Sequence, residues 1–66
     1  MNVDYYHEDN LVYSTKTNDL AGLIAAIEKS ESLHFQHDIY KLESFLLNHY
    51  LENGKWCEKF IVYITK

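Results

Sequence analysis

Residues 37–56 read HDIYKLESFLLNHYLENGKW, and they carry more apolar side chains than one side of a helix can hold. At about 100° per residue these side chains cover well over half of the helix circumference. The segment begins with a potential N-cap, Asp38, and ends at Asn53-Gly54, an ordinary helix stop. We therefore predict a helix that is apolar on two sides, with one uninterrupted polar face formed by Lys41, Ser44, Asn48 and Glu52.

This surplus of apolar surface predicts a binding site. A helix that lies on a sheet beside one other helix hides about half of its surface, so some of its apolar side chains stay exposed. The exposed part is expected either near Phe45 or near Tyr40, Leu47 and Leu51. Contiguous exposed apolar surface usually marks a partner site. The alternative is that these side chains simply pack on the rest of the fold, with Phe45 at the margin.

The two ends of the chain predict β-strands. Residues 3–6 and 11–13 are rich in strand-forming side chains and flank a polar stretch, which predicts a hairpin. The polar stretch contains no Asn-Gly or Asp-Gly, so we expect a loop of about three to five residues rather than a tight two-residue turn. At the other end, KWCEKFIVYITK alternates its apolar side chains between two faces and predicts the last strand.

Between these strands, TNDLAGLIAAIEKS predicts an amphipathic helix, capped by Thr17 or Asn18 and ending near Lys29 or Ser30. One narrow stripe holds its apolar side chains, Leu20, Leu23, Ile24 and Ile27. The element order ββααβ predicts an α+β fold, a three-stranded β-sheet with two helices packed on one face. The last strand either joins the free edge of the second strand, in order 1-2-3, or pairs in parallel with the first, in order 3-1-2.

Length and composition predict a single cytoplasmic domain, residues 1–66. Hydrophobic residues make up 47% of the chain, which is too apolar for a disordered protein. The lone cysteine, Cys57, excludes an internal disulfide framework and fits a reducing compartment. The N-terminus does not have the pattern of a secretory signal, and no run of apolar residues is long enough for a membrane helix. We therefore expect no membrane association.

The charge is unevenly distributed. The net charge is −4, and residues 1–28 hold all of it, with five acidic residues against one lysine. Residues 29–66 hold five acidic residues and five lysines, and the chain contains no arginine. Proteins that bind nucleic acid need a basic surface, so we expect no direct nucleic-acid binding.

No motif in the chain predicts catalysis. There is no glycine-rich phosphate loop, and Cys57 begins a strand beside Trp56 with no sign of an oxyanion hole. We therefore predict that the protein is not an enzyme and holds no cofactor. His34-x-x-His37 has the spacing of metal ligands, and His49 would supply a third one, so a histidine-based metal-binding protein is an alternative.

Protein binding is the predicted function. On a strand Asp4, Tyr6 and Glu8 share one face, and acidic side chains interleaved with tyrosines suit a partner with a basic surface. The alternative is an ordinary solvated acidic face.

Short, acidic, tyrosine-rich chains are common among accessory proteins of phages and mobile elements. We therefore expect a non-enzymatic inhibitor or regulator of a host protein, for example an anti-CRISPR or anti-restriction protein. A homodimeric accessory protein without an inhibitory role is an alternative, because two-fold dimers are the commonest oligomers. The side chains expected to bind the partner lie on the first hairpin and the second helix: Tyr5, Tyr6, Glu8, Asp9, Tyr40, Leu47 and Leu51.

Overall fold

Five strands and one helix make up the computed structural model, which describes residues 1–66. In chain order the elements are β1 (Asn2–His7), β2 (Asn10–Lys16), α1 (Leu20–Lys29), β3 (Leu33–Phe35), β4 (Asp38–Glu52) and β5 (Lys55–Thr65). The strands hold 64% of the residues and form one sheet in the order β2-β1-β5-β4-β3. Neighbouring strands are antiparallel except β1 and β5, which are parallel.

The predicted ββααβ fold, with a three-stranded sheet and two helices on one face, is wrong. The segment expected to form the second helix is β4, the longest strand, with 15 residues. Its leucines, lysine and glutamates favour helices locally, and pairing with β5 overrides that preference. A bulge between Leu42 and Ser44 also interrupts the two-residue alternation, so the strand pattern is hidden. The two apolar sides of the supposed helix are the two faces of a strand.

The turn at Asn53-Gly54 joins β4 to β5 and sets their register. Both residues have positive φ, 52° for Asn53 and 77° for Gly54. This combination is typical of a type I′ turn, whose twist matches that of two antiparallel strands. Glu52 and Lys55 pair directly across it. Asn-Gly also ends helices, so the same dipeptide is compatible with the helix that the sequence predicts for this segment.

Two other turns place non-glycine residues in the left-handed region. Glu8, with φ 57°, begins the two-residue turn between β1 and β2, and Gln36, with φ 58°, begins the one between β3 and β4. The longer loop expected in the first hairpin is therefore wrong, because His7 pairs directly with Asn10. A left-handed backbone costs a non-glycine residue about 1 kcal/mol, which the flanking strand pairs must offset.

The sheet is strongly curled, so its two edge strands approach each other. In a flat sheet β2 and β3 would be about 19 Å apart, four spacings of about 4.8 Å. Instead the rings of Tyr13 on β2 and Phe35 on β3 have centroids only 5.6 Å apart. The Tyr5 ring on β1 contacts both of them, at 5.9 Å from Tyr13 and 5.2 Å from Phe35. The fold is therefore an incompletely closed barrel with an aromatic interior.

The core lies on the concave side of the sheet, beneath α1. Its buried apolar side chains come from three strands, β1, β4 and β5, and the helix: Val3, Tyr5, Ile27, Tyr40, Phe60, Val62 and Ile64. The predicted stripe of α1 does face this core, with Ile27 buried and its other members half-buried. The helix begins later than expected, because Asp19 is the N-cap and accepts a hydrogen bond from the backbone N–H of Gly22 at 2.9 Å. α1 has only ten residues and is too short to cross a membrane.

β5 lies in the middle of the sheet, between β1 and β4. Its parallel pairing with β1 is the second of the two arrangements that the sequence left open. This central position accounts for the apolar side chains on both of its faces. Phe60, Val62 and Ile64 are buried in the core, whereas Ile61 and Tyr63 are half-buried on the opposite, convex face.

Candidate interaction surface

β4 has an edge that no other part of the chain pairs with along most of its length. β5 pairs with one side of β4 from Lys41 to Glu52, whereas β3 pairs with the other side only from Asp38 to Tyr40. No hydrogen bond from a turn, loop or side chain reaches the backbone of residues 41–52 on that side. We call Lys41–Glu52 the free edge of β4. Such a row of unpaired N–H and C=O groups is a template for another strand.

Most of the free edge lacks the features that usually protect edge strands. Natural edges carry lysine, proline or bulges that prevent pairing with other chains. Here proline is absent from the chain, and Lys41 and the bulge at Glu43 both lie at one end of the free edge. From Ser44 to Glu52 the pairing with β5 is regular, and Glu52 is the only acidic or basic residue apart from His49. We call Ser44–Glu52 the open segment.

Large apolar side chains are exposed around the open segment. Leu46 and Leu47 are both exposed and point to opposite faces of β4. Leu51 is 59% exposed, and its cross-strand neighbour Trp56 is 73% exposed. Tryptophan is enriched at binding hot spots, and clustered exposed apolar side chains mark interaction sites more often than isolated ones do.

Leu51 and Trp56 belong to a hairpin that extends beyond the rest of the sheet. β1 begins at Asn2, opposite Lys59, so residues 49–58 pair only with one another. We call residues 49–58 the projecting hairpin. An isolated two-stranded hairpin is at best marginally stable in water. Contact with a further strand would therefore stabilise this part of the molecule.

The convex face of the sheet contains a structural ion pair. Asp4 is 5% exposed; the Ser14 hydroxyl donates a hydrogen bond of 2.6 Å to its Oδ1, and Lys59 Nζ lies 3.2 Å from its Oδ2. These contacts join β1 to both of its neighbours, β2 and β5. The hydrogen bond to Asp4 and the charge of Asp4 together raise the pKa of Lys59 above its ordinary value. Asp4 is therefore engaged within the fold rather than available to a partner.

The predicted binding residues of the first hairpin are not on one surface. Tyr5 is a core residue, and burial, with a smaller effect of Tyr13, raises the pKa of its hydroxyl. Tyr6 is half-buried on the convex face, with its ring centroid 6.4 Å from that of Tyr63. Only Glu8 and Asp9 are exposed, in the turn between β1 and β2. With Asp4 paired, the acidic row expected along this strand is reduced to a tip of two carboxylates.

The predicted binding residues of β4 also divide between core and surface. Tyr40 is buried, with its ring 6.0 Å from that of Phe35, and Phe45 is half-buried against Phe60. Leu47 and Leu51 are exposed on the strand.

Sequence reasoning missed the exposed Leu46 and Trp56 as members of this surface. A signal for Trp56 was present, because Leu51 and Trp56 are placed symmetrically about Asn53-Gly54. A hairpin at that dipeptide pairs them across the two strands.

A cleft of about 530 Å³ opens between the two edge strands, at the side where the barrel is incomplete. It is lined by Val12, Tyr13, His34, Phe35, Gln36 and Asp38. The His34 ring already shares a hydrogen bond of 2.8 Å with the Ser32 hydroxyl, and the Asp38 carboxylate accepts one of 3.2 Å from Lys66. His34 and Asp38 therefore already have partners in the chain, and no buried side-chain nitrogen or oxygen atom lacks one, so the cleft offers no unpartnered buried polar group to specify a ligand.

The histidines do not come together as metal ligands. His34 lies on β3, His37 follows in the turn, and His49 lies near the far end of β4. No group of three or more His, Cys, Asp or Glu side chains is placed to hold an ion. Cys57 is half-buried, and its thiol contacts the backbone oxygen of Lys55 at 3.7 Å.

Comparisons with models of protein families, with curated proteins and with solved structures find no match to this chain. The expectation of a phage-type inhibitor therefore has no support from a similar protein. The α+β architecture that accompanied it is wrong, because the fold is mostly strand with a single short helix. The feature that favours protein binding is the free edge of β4.

Proposed function

We propose that this protein is a non-enzymatic binding module that accepts an extended strand of another polypeptide along the free edge of β4. The observation that carries the proposal is the row of unpaired backbone groups in the free edge, flanked by exposed Leu47 and Leu51. In recognition by strand addition, backbone hydrogen bonds supply affinity and alternate side-chain contacts supply selectivity.

The chemistry of this edge favours a protein strand over other ligands. N–H and C=O groups alternate along it at strand spacing, and only another extended backbone matches that spacing over several residues. The open segment carries little charge, which disfavours a nucleic acid or a highly charged partner. The lone cysteine supports a reducing compartment such as the cytoplasm as the place where binding occurs.

What supports a role without catalysis is the chemistry of the remaining surface. In the cleft between β2 and β3, His34 is hydrogen-bonded to Ser32 and Asp38 to Lys66, and no group of three or more His, Cys, Asp or Glu side chains is placed to hold a catalytic metal ion. Three leucines are exposed in the open segment, and its only exposed acid–base side chains, His49 and Glu52, point to opposite faces of the strand and so do not form a pair.

Affinity capture with two matched variants tests this function. Leu51→Lys places a charge in the open segment, whereas Leu11→Lys places one on β2, at a leucine of similar exposure, 53% against 59%. Captured proteins from cells that contain the chain are compared by mass spectrometry. We expect a protein retained by the wild type and by Leu11→Lys to be lost with Leu51→Lys.

Repeating the capture at about 1 M salt distinguishes the free edge from the acidic tip. Contacts made by backbone and apolar groups persist at high salt, whereas a contact of Glu8 and Asp9 with a basic surface is screened. A partner that is released by salt and by Asp9→Lys, but retained by Leu51→Lys, would place the binding site at the β1–β2 turn and contradict the proposal.

A further inference from the structure

We infer that the strand accepted by the free edge is the open segment of a second copy of this chain, so that two chains form a two-fold dimer through β4. This inference rests on the proposed function, because it requires the edge of β4 to be free. Antiparallel pairing of the two open segments joins the two sheets into one continuous sheet.

The ends of the open segment determine the register of this pairing. The bulge at Glu43 disrupts the strand at one end, and the turn at Asn53-Gly54 ends it at the other. Two-fold antiparallel pairing over the whole of Ser44–Glu52 places Asn48 opposite its own counterpart. β3 stops pairing at Tyr40, three residues before the bulge, and does not obstruct the incoming strand.

In this register apolar side chains meet on both faces of the joined sheet. Phe45 faces Leu51 of the second copy on the side of the core, and Leu46 faces Tyr50 on the convex side. Each contact occurs twice because of the symmetry. Glu52 faces Ser44, so no like charges are opposed, and cross-strand pairs of this kind stabilise a sheet.

The distribution of charge allows two copies to approach through β4. The whole net charge of −4 lies in residues 1–28, and residues 29–66, which include β4 and β5, are neutral. The acidic turn at Glu8-Asp9 follows His7, which pairs with Ile64, whereas the projecting hairpin carries Trp56 at the other end of β5. At about 3.3 Å per residue these ends are about 26 Å apart, well beyond the Debye length of about 10 Å at 0.1 M salt.

The dimer also gives the projecting hairpin a neighbour. Leu51, which is exposed in the single chain, comes to lie against Phe45 of the second copy. The Phe45 ring is itself anchored on the buried Phe60, with ring centroids 5.3 Å apart. Each hairpin is therefore supported by a residue that the partner's core holds in place.

Sedimentation equilibrium of the full chain at micromolar concentrations tests the association. We expect a dimer for the wild type and for Leu11→Lys, and at least tenfold weaker association for Leu51→Lys, where a lysine faces Phe45. Circular dichroism shows whether each variant keeps the β fold. Because Leu51 is exposed in the single chain, we expect Leu51→Lys to lose the dimer and stay folded.

Site-directed cross-linking tests the register. In a Cys57→Ser background, Asn48→Cys places two thiols across the symmetry axis, where paired strands hold their Cα atoms about 4.5–5.5 Å apart, within the range of a disulfide. Lys41→Cys, on the same strand but outside the open segment, is the control. We expect the Asn48→Cys variant to cross-link at least tenfold faster, and equal rates would overturn the inference by placing the interface elsewhere.

Amide hydrogen exchange separates failure of this inference from failure of the proposed function. A chain that is monomeric and exchanges the outward amides of Ser44–Glu52 rapidly overturns self-pairing, while its edge stays open to a different polypeptide. A monomer in which those amides are protected overturns both, because the chain itself then covers the edge. Protection that increases with concentration together with dimer formation supports both.

Discussion

β2 and β4 both carry an edge of the same curled sheet, but the chain protects only one of them. β2 has a bulge opposite Tyr5 and Tyr6, and its Tyr13 ring packs against Phe35 of β3. The other edge strand, β3, has only three residues, so most of β4 forms a second edge behind it. The bulge of β4 lies outside the open segment and leaves Ser44–Glu52 regular.

This difference shows which edge of the sheet is open to pairing with another strand. Unprotected edges promote aggregation, and natural sheets usually avoid them or use them for recognition. The open segment also includes Leu51, which pairs with Trp56 on β5; these are the two most exposed large apolar side chains in the chain. An edge without protection and an apolar cluster in the same place together argue for recognition.

Phe35→Ala should have the largest effect, because it removes the contact that protects β2. Its ring packs against Tyr5, Tyr13 and Tyr40 and brings the two edge strands together. We expect the free energy of unfolding to fall by about 3 kcal/mol, the lower end for loss of a packed phenylalanine, since Phe35 is only half-buried. Urea denaturation measures this change. A loss below about 1 kcal/mol would show that the rings are not packed as described.

Asp4→Asn should have the next largest effect on stability, because it removes the charge that joins β1 to β2 and β5. The amide can still accept the hydrogen bond from Ser14, but it no longer pairs with Lys59. We expect a loss of about 1–2 kcal/mol by urea denaturation. Asp38→Asn is a matched control: its pair with Lys66 has the same length, 3.2 Å, but is exposed, so we expect less than about 0.5 kcal/mol.

Alkaline pH should weaken the same contacts without a mutation. Because the pKa of Lys59 is raised in the fold, its contribution is complete below the ordinary lysine value and is lost as the pH rises through the folded value. The raised pKa of Tyr5 acts in the same direction. We expect the wild type to lose stability above about pH 10. Asp4→Asn should show less of this loss and Tyr5→Phe should remove the tyrosine part; equal slopes in all three would contradict the assignment.

The elements that the sequence predicted correctly are those with one clear period. The stripe Leu20, Leu23, Ile24 and Ile27 predicts α1, and the strand-forming runs at both ends predict β1, β2 and β5. β4 could not be recognised in this way, because its leucines suit both structures and the bulge at Glu43 shifts the alternation by one residue. Asn53-Gly54 is compatible with either a helix end or a hairpin. Only the pairing of the two flanking strands decides between them.

The candidate site could be predicted only in part, for a related reason. Tyr5 and Tyr6 are equivalent in composition, and only the phase of the strand places one in the core and the other on the convex face. The exposure of Leu47 and Leu51 was expected from helix geometry, yet it results from an open strand edge. Edges follow from strand order, which depends on long-range pairing and is not visible in any local pattern.

Gly54→Ala should have a moderate effect, by straining the turn that presents the open segment. Gly54 has φ 77°, and an added Cβ would meet nothing within 4 Å, so only the backbone conformation is penalised. We expect a loss of about 1 kcal/mol in urea denaturation. Gln36→Gly, at φ 58°, tests the opposite direction and should gain about 0.5 kcal/mol. No loss for Gly54→Ala together with no gain for Gln36→Gly would show that the left-handed turns are not strained.

Leu46→Lys should have the smallest effect on the stability of the single chain and the most specific effect on its edge. Leu46 is exposed on the convex side of the open segment, so we expect a change below about 0.5 kcal/mol in a dilute sample. A lysine at position 46 would protect the open segment against pairing with another strand, as the bulge and the Tyr13–Phe35 contact protect β2. Light scattering at increasing concentration should therefore show less association than for the wild type, while Lys16→Leu on β2 should change association little, because the bulge and Phe35 still protect that strand. If Lys16→Leu promotes association as strongly as Leu46→Lys reduces it, side-chain charge alone controls the edges, and the geometric difference between β2 and β4 does not matter.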